Sequence, residues 1–358
     1  MGQLALPGRD QVVTVATESP ADVMESARRL GEEVFLPNAS RTDAADIVPR
    51  AHLDMLGEAG FYGLAGPKEA GGLGVDAATA CRVVELLAGC CLTTTFVWMQ
   101  HHGAVFAVAG SSDPLREEWL RPLCRGERRA GVALTGVRPG HERLSARPVE
   151  GGWVLDGSVP WVTGWGRIDV VHTAARHGDD SVVWMLVDAD ECDTLRVERT
   201  TLVAVNASST VRADFLGHFV PSERVVATQT YEEWAWRDAA GLRINGSLAL
   251  GVAGRCCRLL GPTGLDAELV ARRAELDGAD PHTMPTARAA ASELASRAAS
   301  ALVAASGSRG VLLDEHPQRL SREAMFLLAF GQRQAIRSAL MVRLGATPGR
   351  ATSRADPG

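Results

Sequence analysis

The chain has 358 residues, 46% of them apolar and 22% charged, with a formal net charge of −6. That length exceeds what one hydrophobic core usually serves, so two or three subdomains are expected. The mild acidity gives no footing for nucleic acid or an anionic membrane surface as partner. No run of about 20 apolar residues is present, so no transmembrane helix is expected. The opening MGQLALPGRD lacks the basic start and apolar run of a signal peptide, which predicts cytoplasmic residence. Among the 7 cysteines, Cys90-Cys91 and Cys256-Cys257 are adjacent and poorly placed to bridge each other. No CxxC or HExxH spacing suggests a metal, and His101-His102 reads as core or surface. There is no GxGxxG after a strand, no P-loop and no GxSxG elbow.

Residues 1–20 read as a flexible N-terminus. Helical spacing begins with Val23, Ala27, Leu30 and Val34 on one face, and resumes from Asp43 to about Ala59. The stretch GLAGPKEAGGLG (63–74) interrupts it. Helical patterns return over 76–91, 93–110 and 113–125, giving an α-helical domain over 21–128. From 129 the texture changes to short β-branched segments separated by turn residues. Gly151-Gly152 and Asp156-Gly157 have hairpin character. A small β-barrel or sandwich is expected over 129–228. Helical patterns then cover 230–260, 263–277, 284–305 and 319–344, with Leu320, Ala324, Leu327 and Leu328 on one face. They define a helical domain over 229–345, followed by a disordered tail, 346–358. The fold class is α+β, helices, then sheet, then a helical bundle, without βαβ alternation.

The segment Pro160–Gly166, PWVTGWG, concentrates two of only 8 tryptophans. In a regular strand Trp161, Thr163 and Trp165 project from one face. That face is either a half-buried packing surface or a wall for a flat ligand needing one hydrogen bond.

The order of segments resembles the acyl-CoA dehydrogenase family of flavoproteins. Gly63-Leu64-Ala65-Gly66-Pro67 with Gly71-Gly72-Leu73-Gly74 resembles its G-x-x-x-P-x-x-x-G-G-x-G segment. DPLREEWLRPLCRGERRAGVALTG (113–136), WVLDGSVPWVTGWGRIDVVHTAAR (153–176) and two late helical segments are similar to its other landmarks. The match runs over most of 40–345. The resemblance implies FAD as cofactor and an acyl-CoA or acyl-carrier thioester as substrate. It also implies a homo- or hetero-oligomer, a dimer or tetramer. It puts Trp161 on the flavin ring, Thr163 near flavin N5, and Leu134 and Thr135 at the pyrimidine side. Trp165 has no such role and reads as packing.

Four departures follow. The family's T-E-P-x-x-G-S-D becomes Thr135-Gly136-Val137-Arg138-Pro139-Gly140-His141-Glu142, which keeps Thr135 and Gly140. The two positions where members carry the catalytic Glu are Gly331 and Gly241. Asp238 is the candidate substitute, against a solvated or capping role; Glu232 and Glu233 are also near. The R-x-x-F-G segment that contacts the partner subunit's FAD pyrophosphate is missing. Its loss shortens the C-terminal domain by roughly thirty residues. Arg272 or Arg273 is the candidate replacement, against a solvated helix face. The late Q-x-x-G-G-x-G reads Ala304-Ala305-Ser306-Gly307-Ser308-Arg309-Gly310, keeping Gly307 but not the Gln.

Three functions are open at this point. One is an FAD-dependent oxidoreductase removing an α-proton and a β-hydride from a thioester. The second is a non-dehydrogenating subunit paired with a complete paralogue. The third is a flavin-dependent monooxygenase on the same fold.

Overall fold

Ser19 opens the first helix. Its hydroxyl accepts from the Asp22 N–H while the Asp22 carboxylate accepts from the Ser19 N–H, a reciprocal cap. The computed structural model describes residues 19–346, so most of the expected N-terminal and C-terminal tails lies outside the described residues.

Helices α1 (Pro20–Arg29), α2 (Ala39–Asp43), α3 (Arg50–Glu58), α4 (Ala77–Cys90), α5 (Leu92–Met99), α6 (His102–Ala109) and α7 (Asp113–Arg125) form the first part. The single helix expected over 93–110 is two, because the chain breaks at Gln100-His101. The break goes with a buried His101 whose Nδ1 accepts from the Ala130 N–H at 2.9 Å. Its Nε2 therefore carries the proton and donates to the Leu123 carbonyl at 3.0 Å. Burial and the neighbouring His102 hold its pKa well below the ordinary value, so it stays neutral. His101 thus ties α7 to the first strand.

Strands β1 (Ala130–Ala133), β2 (Leu144–Val149), β3 (Gly152–Val162), β4 (Val170–His177), β5 (Ser181–Asp188), β6 (Leu195–Arg199), β7 (Val211–Pro221) and β8 (Val225–Thr230) form one mixed sheet. Its order is β6-β7-β3-β2-β4-β5-β8, with β1 parallel to β4. Leu144, Leu155, Val159, Val171, Val183 and Phe215 fill its core. Asp156-Gly157 is not a hairpin turn. It lies within β3, opposite a bulge on β7 at which pairing skips Gly217. Gly217 has φ +66° and its N–H donates to Asp156 Oδ1 at 2.7 Å, so the carboxylate holds the bulge.

The chain then forms α8 (Tyr231–Ala240), α9 (Leu242–Leu260), α10 (Gly264–Gly278), α11 (Met284–Ser306), α12 (His316–Ala329) and α13 (Gln334–Arg343). The pattern over 230–260 is divided at Gly241, and that over 319–344 at Phe330–Arg333, where Gly331 has φ +64°. The first and last helical parts share one hydrophobic core that includes Leu87, Ala88, Leu250, Ala253 and Leu294. Helices α4 and α9 meet backbone to backbone there. A Cβ on Gly89 would lie 2.7 Å from the Gly251 carbonyl oxygen, and one on Gly251 would overlap the Glu85 carbonyl.

This contact makes opposite predictions for two glycines. Alanine is the better helix former by about 1 kcal/mol, but overpacking typically costs about 1–3 kcal/mol. Gly251→Ala is therefore expected to lower the urea unfolding midpoint. Gly241→Ala, with φ −62° and the Arg237 carbonyl oxygen 3.5 Å from the new Cβ, should leave it unchanged or raise it. Equal midpoints for the two variants would contradict the close helix contact.

Candidate functional site

The end of β3 is irregular. Its register against β7 shifts between Val159 and Val162, and Trp161 has φ +69°. A left-handed backbone at a bulky residue costs about 1–2 kcal/mol and marks a position held by its surroundings. The shift breaks the alternation expected of a regular strand. Trp161 is 50% exposed, Thr163 is buried, and Trp165 packs against the sheet core. The tryptophans and Thr163 therefore do not form one continuous strand face. Thr163 Oγ1 lies 3.3 Å from Thr210 Oγ1, which lies 2.8 Å from Ser208 Oγ. Of these hydroxyls, Thr163 follows the Trp161 turn by two residues, and Thr210 and Ser208 come from the chain beside β7.

After β1, Leu134 leads into a tight 3₁₀ turn, Thr135–Val137, and the Arg138 N–H donates to the Thr135 carbonyl at 3.0 Å. Leu134 and Val137 pack with Tyr231 and Trp234, which seats the turn on α8. Gly140 has φ +81° and no heavy atom within 4 Å of where a Cβ would point. Nothing there blocks an approaching ligand. His141 is exposed, and Glu142 is paired with Arg212.

On α8, Asp238 is neither solvated nor a helix cap. Its Oδ1 accepts from Arg138 Nη2 at 2.8 Å and from Arg333 Nη2 at 2.5 Å, and its Oδ2 from Arg333 Nε at 2.7 Å. Burial alone would raise its pKa, but the two guanidiniums outweigh that and hold the carboxyl below its usual value. Arg333 Nη1 also donates to the Gly331 carbonyl. A Cβ on Gly331 would sit 3.6 Å from Asn245 Nδ2 and 3.7 Å from Arg333 Nη1. Gly241 joins α8 to α9, with its Cβ direction 3.6 Å from the Asp238 carbonyl oxygen. Arg288, on α11, is 1% exposed and donates to Ser292 and, weakly, to the Leu327 carbonyl.

Helix α5 links this cluster to the Trp161 turn. The Phe96 ring lies 5.0 Å from that of Phe330, next to Gly331, and Val97 lies 3.2 Å from the Cβ direction of Gly164. Leu134, Thr135, Asp238, Gly241 and Gly331 are thus gathered around Arg138 and Arg333, with Trp161 and Thr163 across α5. Gly307 is elsewhere. It follows α11, nineteen residues beyond Arg288, hence roughly 28 Å along the helix. Arg272 pairs with Glu275 and Glu268, and Arg273 with Glu85. A surface groove of about 670 Å³ lined by Trp236, Ala239, Pro281 and His282 also borders α8, but shares none of these site residues.

Sequence reasoning missed Arg138, Asn245, Arg288 and Arg333. Two signals were available. Arg138 and Arg333 flank motif residues already singled out, and Arg288 is the one charge among the small residues of 285–292.

Two family models match the chain, the N-terminal acyl-CoA dehydrogenase domain over residues 17–127 and the C-terminal one over 248–332. Benzylmalonyl-CoA dehydrogenase of Aromatoleum aromaticum is 28% identical over 66% of this chain and 66% of its own length. The 3-sulfinopropanoyl-CoA desulfinase of Variovorax paradoxus is 28% identical over 46% of this chain and 43% of its own. Each match spans less than two thirds of the relative. Butyryl-CoA dehydrogenase of Megasphaera elsdenii superposes with a TM-score of 0.79 at 18% identity, covering 91% of this chain and 97% of that one. A glutaryl-CoA dehydrogenase of Mycobacterium smegmatis, in complex with FADH2, gives 0.76 at 17%, covering 94% and 98%. The chain belongs to the acyl-CoA dehydrogenase family, a family of flavoprotein oxidoreductases, and has its fold. No helix among the described residues is long and apolar enough to cross a membrane.

The residues present suit the ring of a flavin better than its phosphates. The half-exposed Trp161 offers an aromatic face, Gly140 leaves room for backbone approach, and the buried Thr163 hydroxyl follows Trp161 by two residues. Arg272 and Arg273 are already engaged by glutamates of this chain.

Asp238→Asn tests the clamp. Removing one partner of a largely buried ion pair costs about 3–5 kcal/mol. Because the folded pKa is depressed, the contribution of Asp238 is complete above its unfolded pKa of about 3.9 and is lost as pH falls through the lower folded value. The parent should therefore lose stability on acidification through that window, and the variant should lack this component. Chemical denaturation at several pH values measures both, and equal acid limbs would contradict the clamp.

Proposed function

We propose that this chain binds FAD against its middle domain, presents an acyl-CoA or acyl-carrier thioester to it, and is by itself a poor α,β-dehydrogenase. Membership of a flavoprotein oxidoreductase family supports the first part. The turn at Gly331 carries the last part. An α-proton beside a thioester is weakly acidic and needs a base within hydrogen-bond reach, typically worth 10²–10⁴-fold. Gly331 and Gly241 offer none, and both oxygens of Asp238 are held by arginines. In this reading Trp161 and Leu134 hold the ring, and the Thr135 and Thr163 hydroxyls orient its edge. Gly140 admits the cofactor closely. When bound, flavin supplies the hydride acceptor.

A second reading, a subunit completed by another chain, is favoured by one observation. Arg272 and Arg273 are spent on Glu275, Glu268 and Glu85. A complete paralogue would then supply the phosphate contacts and the base, with Gly307 facing that partner.

Trp161→Ala and Thr163→Val are expected to weaken FAD binding by about tenfold or more, one to two aromatic or hydrogen-bond contacts' worth. The melting temperature of the flavin-free protein should stay near the parent's. Fluorescence titration with FAD reads this, and parental affinity in both variants would make the turn purely structural.

Anaerobic mixing of the flavin-loaded protein with saturated acyl-CoA thioesters tests the reaction. Slow flavin bleaching is expected from the chain alone. Fast bleaching would show that another group removes the proton. Gly331→Glu, strained by the left-handed backbone there, should accelerate bleaching most when combined with Arg333→Thr, because Arg333 would otherwise pair with the new carboxylate; Arg333→Thr alone, which also releases Asp238, is the control that must stay slower.

A further inference from the structure

The cluster beside Gly331 has more positive charge than it needs. Arg138 and Arg333 share a single carboxylate, Asp238, whose two oxygens already accept three hydrogen bonds, and Arg288 on α11 lies near Arg333 without reaching that carboxylate. Arg288 is 1% exposed, with only a serine hydroxyl and a distant carbonyl as acceptors. Among the described residues it has no carboxylate partner. Burial and the nearby Arg333 pull its pKa down to about 10, so it still carries its charge at neutral pH. Arg138 Nε is buried and has no acceptor. A buried cation without a counter-charge is strongly unfavourable, and guanidiniums with unused N–H groups are geometrically suited to anionic oxygens. Arg138 and Arg333 each keep 15–18% of their side chains exposed, so the cluster has an open side.

We infer that Arg138, Arg333 and Arg288 form a binding site for an anionic oxygen group, a carboxylate or a group of the same chemistry, carried by the acyl part of the substrate. This rests on the thioester reading above, in which Gly331 stands beside the reacting end of the acyl chain. The substrate class is then an acyl thioester bearing a second acid group. Asp238 is a positioning residue that fixes two of the arginines and leaves their remaining donors for the ligand. Asn245, beside Gly331, adds a neutral amide to the same surroundings. The phosphates of the cofactor present the same oxygen chemistry and are the competing source of the anion.

Calorimetry on the flavin-loaded protein distinguishes the sources, with succinyl-CoA and butyryl-CoA as probes of equal chain length. The parent is expected to bind succinyl-CoA at least about tenfold more tightly, the worth of one charge-assisted hydrogen bond. That preference should collapse to within about twofold in Arg333→Gln and in Arg138→Gln. Arg288→Met, which keeps much of the side-chain volume, should also reduce it; should that variant fail to fold, the two partly exposed positions decide the matter. A parent that binds both thioesters equally overturns the inference while leaving the thioester reading intact. A parent that binds neither overturns both. Arginine variants that lose flavin and keep the succinyl preference assign the cluster to the cofactor's phosphates and overturn the acyl assignment.

Discussion

One carboxylate between two guanidiniums organises the centre of this molecule. Asp238 comes from α8, Arg138 from the loop after β1, and Arg333 from the turn before α13. These segments are 100 and 95 residues apart along the chain. Their meeting joins the mixed sheet to the last helices at the point where the resemblance sets the chemistry. The same contacts that make Asp238 a good anchor make it a poor proton acceptor, since each positive neighbour stabilises its ionised form. The clamp also steers Arg333 onto the Gly331 carbonyl, which helps hold the turn in its left-handed form.

The surrounding fold supplies the rigidity this arrangement requires. Helices α4 and α9 touch through glycines, so a common core runs beneath both helical parts rather than two separate ones. Helix α5 carries Phe96 toward the Gly331 turn and Val97 toward Gly164, so its position sets the spacing between the cluster and Trp161. A left-handed tryptophan is tolerated where such packing fixes its neighbours, and strain of that kind concentrates at ligand-binding positions.

The α–β–α order was legible because it rests on local periodicity, which the residues around Val23, the β-branched segments after 129 and Leu320 display directly. Trp161, Thr163, Thr135 and Gly140 were singled out through the resemblance of their segments, whereas the strand face drawn from the spacing of Trp161, Thr163 and Trp165 gives way to the left-handed backbone at Trp161. Breaks inside long helical patterns were not. His101 ends a helix because of partners at Leu123 and Ala130, and Phe330–Arg333 turns where distant side chains meet. Asp156-Gly157 has the composition of a turn, yet the partner strand's Gly217 makes it part of a bulged strand pair. The arginine cluster was hidden for the same reason. Its members come from three parts of the chain, and an arginine's worth depends on which carboxylates it finds after folding.

The central claim is that this family member has a thioester site without a carboxylate free to remove the α-proton. Exchange of that proton tests it most directly. The flavin-loaded protein would be incubated with butyryl-CoA and, separately, succinyl-CoA in D₂O without an electron acceptor, and deuterium at the α-carbon followed by mass spectrometry. The account predicts that thioester binding perturbs the flavin spectrum while α-exchange stays close to the protein-free rate. Rapid exchange by the isolated chain would show that a base is in place and would contradict it.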